Sequence, residues 1–336
     1  MSRVTIEDVA AQAGVSVATV SRALRDLPNV APTTRERVVA VARELDYQPD
    51  PAAARLATGR TTTVALAVPH PISWYFSQVV AGADAVLASA GYGLLLYAVD
   101  SADGRHRVVS ECVPSRRRVD GVILVELALA DDEVDELASA SAAVVTIGSH
   151  TPHFDAVTID NYGAARLAAR HLIGLGHRRL ALIGGGPDAG LDFSVPSQRR
   201  EGFLAEVAEY LPEHPPSHEQ SGGFSFDGGV EAMERLLAAP DRPTGVFAMS
   251  DEMAMGAMKA VRDAGLRCSE DVSIIGIDDH DLADFAGLTT IRQHVVDHGA
   301  VAARLLLRRL AEPEAPTEVH LAETTLVVRN TTGPPP

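Results

Sequence analysis

The chain has 336 residues, enough for a small module beside a large body with its own core, so more than one domain is expected. Its formal charge of −16 is uneven: residues 1–60 carry eight arginines against seven acids, so the negative excess lies beyond them, which excludes indiscriminate coating of nucleic acid. The two cysteines, Cys112 and Cys268, exclude a disulfide framework, and the absence of a long apolar run or secretion pattern excludes export and membrane insertion, leaving a soluble cytoplasmic protein.

The first element carries the most information. Thr5 can cap a helix and Asp8, three residues on, completes a reciprocal cap, while Ile6, Val9, Ala10 and Ala13 form one inward stripe. Gly14 supplies a turn, Val15 fills the angle, and Ser16 caps a second helix whose Val20 and Leu24 face inward. Positions 17, 18, 21 and 22 then point outward. Two short helices joined this way can place the second in the major groove of DNA. A third helix reads from Thr33 to Leu45, with Val38, Val39, Ala42 and Leu45 on one face.

A linker follows. Asp50 is a good N-cap, Pro51 fits the first helical position, Ala52 to Ala57 is strongly helix-forming, and Gly59 terminates. Two turns are marginal alone, so this helix is expected only where DNA or a partner copy packs on it. The domains therefore read as a helix-turn-helix head over 1–48, a hinge helix and linker over 49–61, and a body over 62–336.

In the body, β-rich runs at Val64–Val68, Leu94–Tyr97, Val122–Val125, Val144–Ile147, Leu180–Ile183, Val246–Ala248 and Val272–Ile277 alternate with helical runs near 77–90, 161–174, 198–209, 227–238, 252–264 and 294–309. That alternation predicts an α/β body with parallel sheets and a ligand crevice beyond the strand ends. The Gly184–Gly186 run lacks a following lysine and the spacing of a nucleotide loop, so it reads as a turn, and His177 as a residue ending a helix before its strand. No zinc-protease, paired-cysteine or nucleophile-elbow pattern occurs, so no metal, cofactor or catalysis is expected. The Pro334–Pro336 tail has no heptad helix that would make a tetramer.

Val15-Ser-Val-Ala-Thr-Val-Ser-Arg22, Thr34-Arg-Glu-Arg-Val38 and Tyr47-Gln-Pro-Asp-Pro-Ala-Ala-Ala-Arg-Leu-Ala-Thr-Gly-Arg60 resemble, in order and spacing, the DNA-binding end of the lactose-repressor/galactose-repressor family of bacterial transcription regulators. Val119-Asp-Gly-Val-Ile123, Gly176-His-Arg-Arg179, Arg199-Arg-Glu-Gly-Phe203, Ser250-Asp-Glu-Met-Ala-Met-Gly-Ala257, Asp271-Val-Ser-Ile-Ile-Gly-Ile-Asp-Asp279 and Leu288-Thr-Thr-Ile291 extend the resemblance over nearly the whole chain. It implies an all-α head on a periplasmic-binding-protein-like body of two parallel-sheet lobes, joined by crossovers near 160, 290 and 320. It also implies a homodimer on a pseudopalindromic operator in the nucleoid, and regulation by a small effector.

For the head, Arg22 has a donor fork suited to a guanine edge, and Val17 and Ala18 suit thymine methyls. Thr5, Ser16, Thr19 and Ser21 suit phosphates, which position without reading sequence. By resemblance, Ala53 and Leu56 enter the minor groove, Leu56 as a wedge. Asp50 stands where relatives have Asn, and Ala31 where they have a serine-type cap.

For the body, Arg199 near a helix start and Asp278 at a strand end suit a crevice, where a guanidinium and a carboxylate grip vicinal hydroxyls and Phe224 or Trp74 covers a ring face. The competing role is an Arg199–Asp278 ion pair across the closed cleft with both aromatics in the core. The resemblance adds His70, Ser73 and Ser250 as effector positions, although His70 replaces a common Asp, Ser73-Trp-Tyr-Phe76 a common Asn-Pro-Phe-Phe, and Ser250 a common Asn. The resulting expectation is a repressor released from DNA by a small carbohydrate, with a purine- or nucleoside-responsive corepressed regulator as the alternative.

Overall fold

The structure, a computed structural model, describes residues 4–47, 60–112, 118–139, 143–186, 194–214 and 218–336. It divides into two compact units, Met1–Thr61 and Thr62–Pro336.

The smaller unit contains α1 (Ile6–Ala13), α2 (Val17–Leu24) and α3 (Pro32–Glu44). Thr5 and Asp8 form the reciprocal cap of α1, the Asp8 carboxylate accepting the Thr5 backbone N–H at 2.8 Å. Gly14 ends α1 at φ +65°, a left-handed conformation that glycine adopts without Cβ strain, and Ser16 caps α2. Val9, Ala10, Ala13, Val20, Ala23, Val38 and Ala42 form the core, joined by half-buried Leu24, Val41 and Leu45. Ala31 makes no side-chain cap, so α3 starts on the conformational preference of Pro32 alone.

The larger unit contains two lobes. The N-terminal lobe holds β1 (Thr63–Val68), β2 (Gly93–Ala98), β3 (Gly121–Val125), β4 (Ala143–Ile147), β5 (Asp155–Ile159) and β11 (Val319–Ala322), and the C-terminal lobe β6 (Leu180–Gly184), β7 (His218–Ser221), β8 (Gly245–Ala248), β9 (Ser273–Asp278), β10 (Thr289–Gln293) and β12 (Thr324–Val327). The sheet orders are β11-β5-β4-β3-β1-β2 and β12-β10-β9-β8-β6-β7, parallel throughout except that β12 runs antiparallel to β10. The helices are α4 (Trp74–Ser89), α5 (Ala102–Arg107), α6 (Asp131–Ser139), α7 (Asn161–Gly174), α8 (Ser194–Tyr210), α9 (Phe226–Leu237), α10 (Asp251–Asp263), α11 (Ala283–Ala286) and α12 (Val295–Ala311).

All seven strands expected from the sequence are present, and β5, β7, β10, β11 and β12 are additional. The chain changes lobe three times, from β5 to α7, from β10 to α12, and from β11 to β12. Helices α4 and α12 approach so closely that a Cβ on Gly82 or Gly299 would collide with the opposing backbone. His177 does more than end a helix: it is fully buried, with Nε2 2.8 Å from the Gly333 carbonyl and Nδ1 3.0 Å from the Thr244 hydroxyl, so it anchors the C-terminal tail.

Candidate functional site

Two surfaces hold the residues singled out from the sequence. On the small unit, Val17, Ala18 and Arg22 are exposed on α2, opposite the buried Val20 and Ala23. The neighbouring hydroxyls are already oriented: Ser16 Oγ lies 2.9 Å from Thr19 Oγ1, and Ser21 Oγ accepts from Arg25 at 2.9 Å. Arg25 is thereby held along its own helix, and Arg35 is tied to the carbonyls of Ala23 and Leu27. Among the described residues Arg22 makes no such bond, so its five N–H donors remain available on the exposed face. Ala53, Leu56 and the hinge helix lie outside the described residues.

In the body, a cavity of about 380 Å³ opens between the lobes. His70, Ser73, Arg199, Phe224, Ser250 and Asp278 all line it. Trp74 does not. Its indole Nε1 donates to Asp281 at 3.0 Å and its ring lies against His280, so it joins the two lobes beside the cavity and covers no face of it. The ion pair considered for Arg199 and Asp278 is absent too. Both residues belong to the C-terminal lobe and so cannot bridge the cleft; Arg199 Nε donates to Asn161 Oδ1 at 2.9 Å and Nη1 to the Met249 carbonyl at 2.6 Å. Asp278 accepts from Gln293 Nε2 at 2.6 Å and from the Asp251 N–H that begins α10.

The sequence reading missed Tyr75, Phe76, Glu126, Phe226 and Glu252 as lining residues. A signal for Glu126 existed: it follows β3 as Asp278 terminates β9, at the strand ends where crevices form. Its carboxylate lies over Gly148, where a Cβ would displace it, and Tyr75 Oη stands 3.4 Å from it. Gly185 in the glycine run similarly leaves room for the Phe224 ring. Glu126, Phe224 and Asp278 have φ of +54°, +51° and +140°, so three lining side chains are held on strained backbone. Such strain persists only where the surroundings over-determine it, as at binding sites.

Burial dominates the electrostatics of this cavity. It pushes the Glu126 carboxyl up to about 7, against the pull of Arg199, and raises Asp278 and Asp251 as well, with the Asp278 charge raising Asp251 further and that of Glu252 raising Asp278. Glu252 is raised by burial as well, while it accepts from the Trp74 N–H and the Ser73 hydroxyl of the other lobe. Ser250 both lines the cavity and caps α10 by accepting from Met253 N at 3.2 Å. Among the described residues no His, Cys, Asp and Glu cluster could hold a metal ion, and no helix is long and apolar enough to cross a membrane.

A caps-and-turn helical pair on one unit and a two-lobed α/β cleft on the other define a ligand-binding, DNA-binding regulator. Residues 5–50 match the bacterial regulatory proteins of the lacI family, and residues 169–332 match the periplasmic binding protein-like domain. The chain is 32% identical over 332 residues to the HTH-type transcriptional repressor CytR of Escherichia coli, covering 98% of this chain and 96% of that one. Among solved structures, the lac repressor dimer bound to operator and the anti-inducer ONPF superposes with a TM-score of 0.87 at 28% identity, covering 99% of this chain and 100% of that one. The transcriptional regulator CelR–cellobiose complex superposes with a TM-score of 0.70 at 31% identity, covering 98% and 100%. The chain belongs to the lacI family of bacterial regulatory proteins. It is a DNA-binding transcriptional repressor and not an enzyme.

Proposed function

We propose that this repressor is a cytoplasmic, nucleoid-associated homodimer that leaves a pseudopalindromic operator when a small carbohydrate binds between its lobes. The observation that carries the proposal is the cavity wall made by Arg199 and Asp278: a donor fork and an acceptor, unpaired with each other, beside the faces of Phe76 and Phe224. Vicinal hydroxyls need such mixed partners, and the apolar face of a sugar ring packs on an aromatic ring. The cellobiose-bound relative supports the same class of ligand. A purine or nucleoside would stack on Phe224 and act as a corepressor instead.

On DNA, Arg22 reads a guanine edge, Val17 and Ala18 meet thymine methyls, and Thr5, Ser16, Thr19 and Ser21 contact phosphates. Leu95 and Leu96 on the edge strand β2, with Leu282 and nearly fully exposed Phe285, are apolar surface that a second copy would cover.

A thermal-shift panel of sugars, glycosides and purine bases identifies the class, because a ligand that binds only the folded state raises its melting temperature. Operator affinity measured with and without the hit then gives the sign. Weaker binding supports induction; tighter binding, or hits confined to purines, overturns it. Arg199→Ala should abolish the response while sparing operator binding, whereas Arg22→Ala should relax base preference at one position per half-site.

A further inference from the structure

Buried and half-buried carboxylates among the described residues are treated in two ways. Glu133 is paired with Arg105, Glu206 with Arg166 and Arg170, Asp155 with Arg308 and Arg309, and half-buried Asp279 with Arg292 and Arg329. Each arginine offsets the cost of taking a carboxylate out of water. Glu126, Glu252 and Asp278 line one cavity, and none of them has an arginine, lysine or histidine nitrogen within 4 Å among the described residues. Asp251 lies behind them, held by the Thr290 hydroxyl at 2.6 Å and the His280 N–H at 2.8 Å.

Among the described residues the single guanidinium or ammonium lining this cavity is that of Arg199, which directs Nε and Nη1 to neutral oxygens, those of Asn161 and Met249. Three carboxylates thus face the cavity against one guanidinium. The three influence one another, since Asp278 is raised by Glu252 and Glu126 by Asp278. The remaining lining includes Tyr75, Phe76, Phe224 and Phe226, whose ring faces attract cations and repel anions. Arg199 pulls on Glu126 and Asp278 from beyond ion-pair distance, so a ligand that brings a cation into contact with these acids adds a close charge interaction in a partly dry site.

We infer that the effector carries an ammonium group on a polyhydroxyl frame, an amino sugar in chemical class, with the ammonium seated among Glu126, Glu252 and Asp278. This rests on the carbohydrate reading of the cavity and narrows it. Arg199 and the aromatic wall hold the hydroxylated ring, and the acids select against its neutral counterpart.

The test is calorimetric titration of the full chain at neutral pH with matched pairs: glucosamine against glucose, and the β-1,4-linked glucosamine dimer against cellobiose. In at least one pair the amino member should bind about tenfold tighter or better. Glu126→Gln and Glu252→Gln keep side-chain shape and should each cut that preference several-fold, with a thermal melt confirming that the variant is folded. If neutral sugars bind as tightly as their amino counterparts, the amino-sugar inference is wrong while the carbohydrate reading stands. If no sugar of either kind binds, both are overturned. A preference undiminished in both folded variants overturns the seating of the ammonium. The wild-type comparison decides the matter even if neither variant folds.

Discussion

Trp74 and His280 stack across the lobe boundary, their ring centroids 4.7 Å apart and their planes inclined by 32°. The stack works with three hydrogen bonds in the same place: Trp74 Nε1 to Asp281, Trp74 N to Glu252, and the Ser73 hydroxyl to Glu252. Trp74 and Ser73 begin α4 in one lobe, whereas Glu252, His280 and Asp281 belong to the other. The Glu252 carboxylate also sits at the N-terminus of α4, where the helix dipole favours negative charge. Closure is thus held by a few contacts beside the cavity, and ligand and contacts favour the same state.

Trp74 is the chain's single tryptophan, so its fluorescence reports this contact directly. Effector binding should change its emission. Trp74→Ala should weaken effector affinity several-fold, because an aromatic pair contributes about 0.5–1.5 kcal/mol beyond buried area. Unchanged affinity in the variant would mean that the contact does not bias closure.

The pH dependence of stability has a definite sign. A carboxyl raised from its usual range to about 7, as Glu126 is, holds its proton in the folded state while the unfolded chain has released it. Its contribution is complete below the unfolded value and is lost as pH rises through 7. Asp251, Asp278 and Glu252 act in the same direction. Buried histidines oppose them below about pH 6.5, since burial holds His298 down to about 4 and lowers His177, His171 and His280. Between pH 6.5 and 8 the acids dominate, and the melting temperature of the ligand-free protein should fall. Glu126→Gln should flatten that fall; an identical slope would assign it elsewhere.

Asp155 is fully buried and accepts from Arg308 and Arg309 of α12 and from the Glu318 N–H that leads into β11. It ties the start of β5 to α12 and to the segment entering β11, all in the same lobe. Asp155→Ala should cost about 3 kcal/mol, because Arg309 loses its carboxylate partner, Arg308 keeps only Glu318, and the Glu318 N–H loses its acceptor. Chemical denaturation measures this, and a loss under 1 kcal/mol would contradict it.

In the head, a Cβ at Gly14 meets nothing within 4 Å, so only its left-handed φ of +65° opposes substitution. Gly14→Ala should therefore destabilise the head by about 1–2 kcal/mol without repacking it. A much larger loss would point to a steric role. Gly299→Ala is the contrasting case: its cost arises from collision with the Val79 backbone and should exceed that of Gly14→Ala.

Local chemistry was sufficient for the head. Caps, a glycine turn and a 3.6-residue apolar period act within a few residues, so Thr5, Asp8, Gly14, Ser16 and Val20 specify their own geometry. The fully buried strands were legible for the same reason, as runs such as Val64–Val68 and Val122–Val125 whose neighbours are all apolar. Strand β7, His218–Ser221, has no apolar residue and becomes a strand only by pairing with β6 at a sheet edge. Strands β11 and β12 likewise take their place from where the third crossover delivers them.

The cleft divides along the same line. A strand end marked Asp278, a helix start marked Arg199, aromatic chemistry marked Phe224, and the family pattern added His70, Ser73 and Ser250, because these signals are carried by single residues or their neighbours in sequence. Which side chains share one cavity depended on how the lobes meet: that meeting brought in Tyr75, Glu126 and Glu252, and turned Trp74 from a candidate ring cover into a contact between lobes. Charge pairing is also non-local. The sequence counts arginines and acids but cannot assign them, and only the folded chain ion-pairs Glu206 and Asp155 with arginines while leaving Glu126, Glu252 and Asp278, among the described residues, sharing a cavity with Arg199 but paired with no arginine.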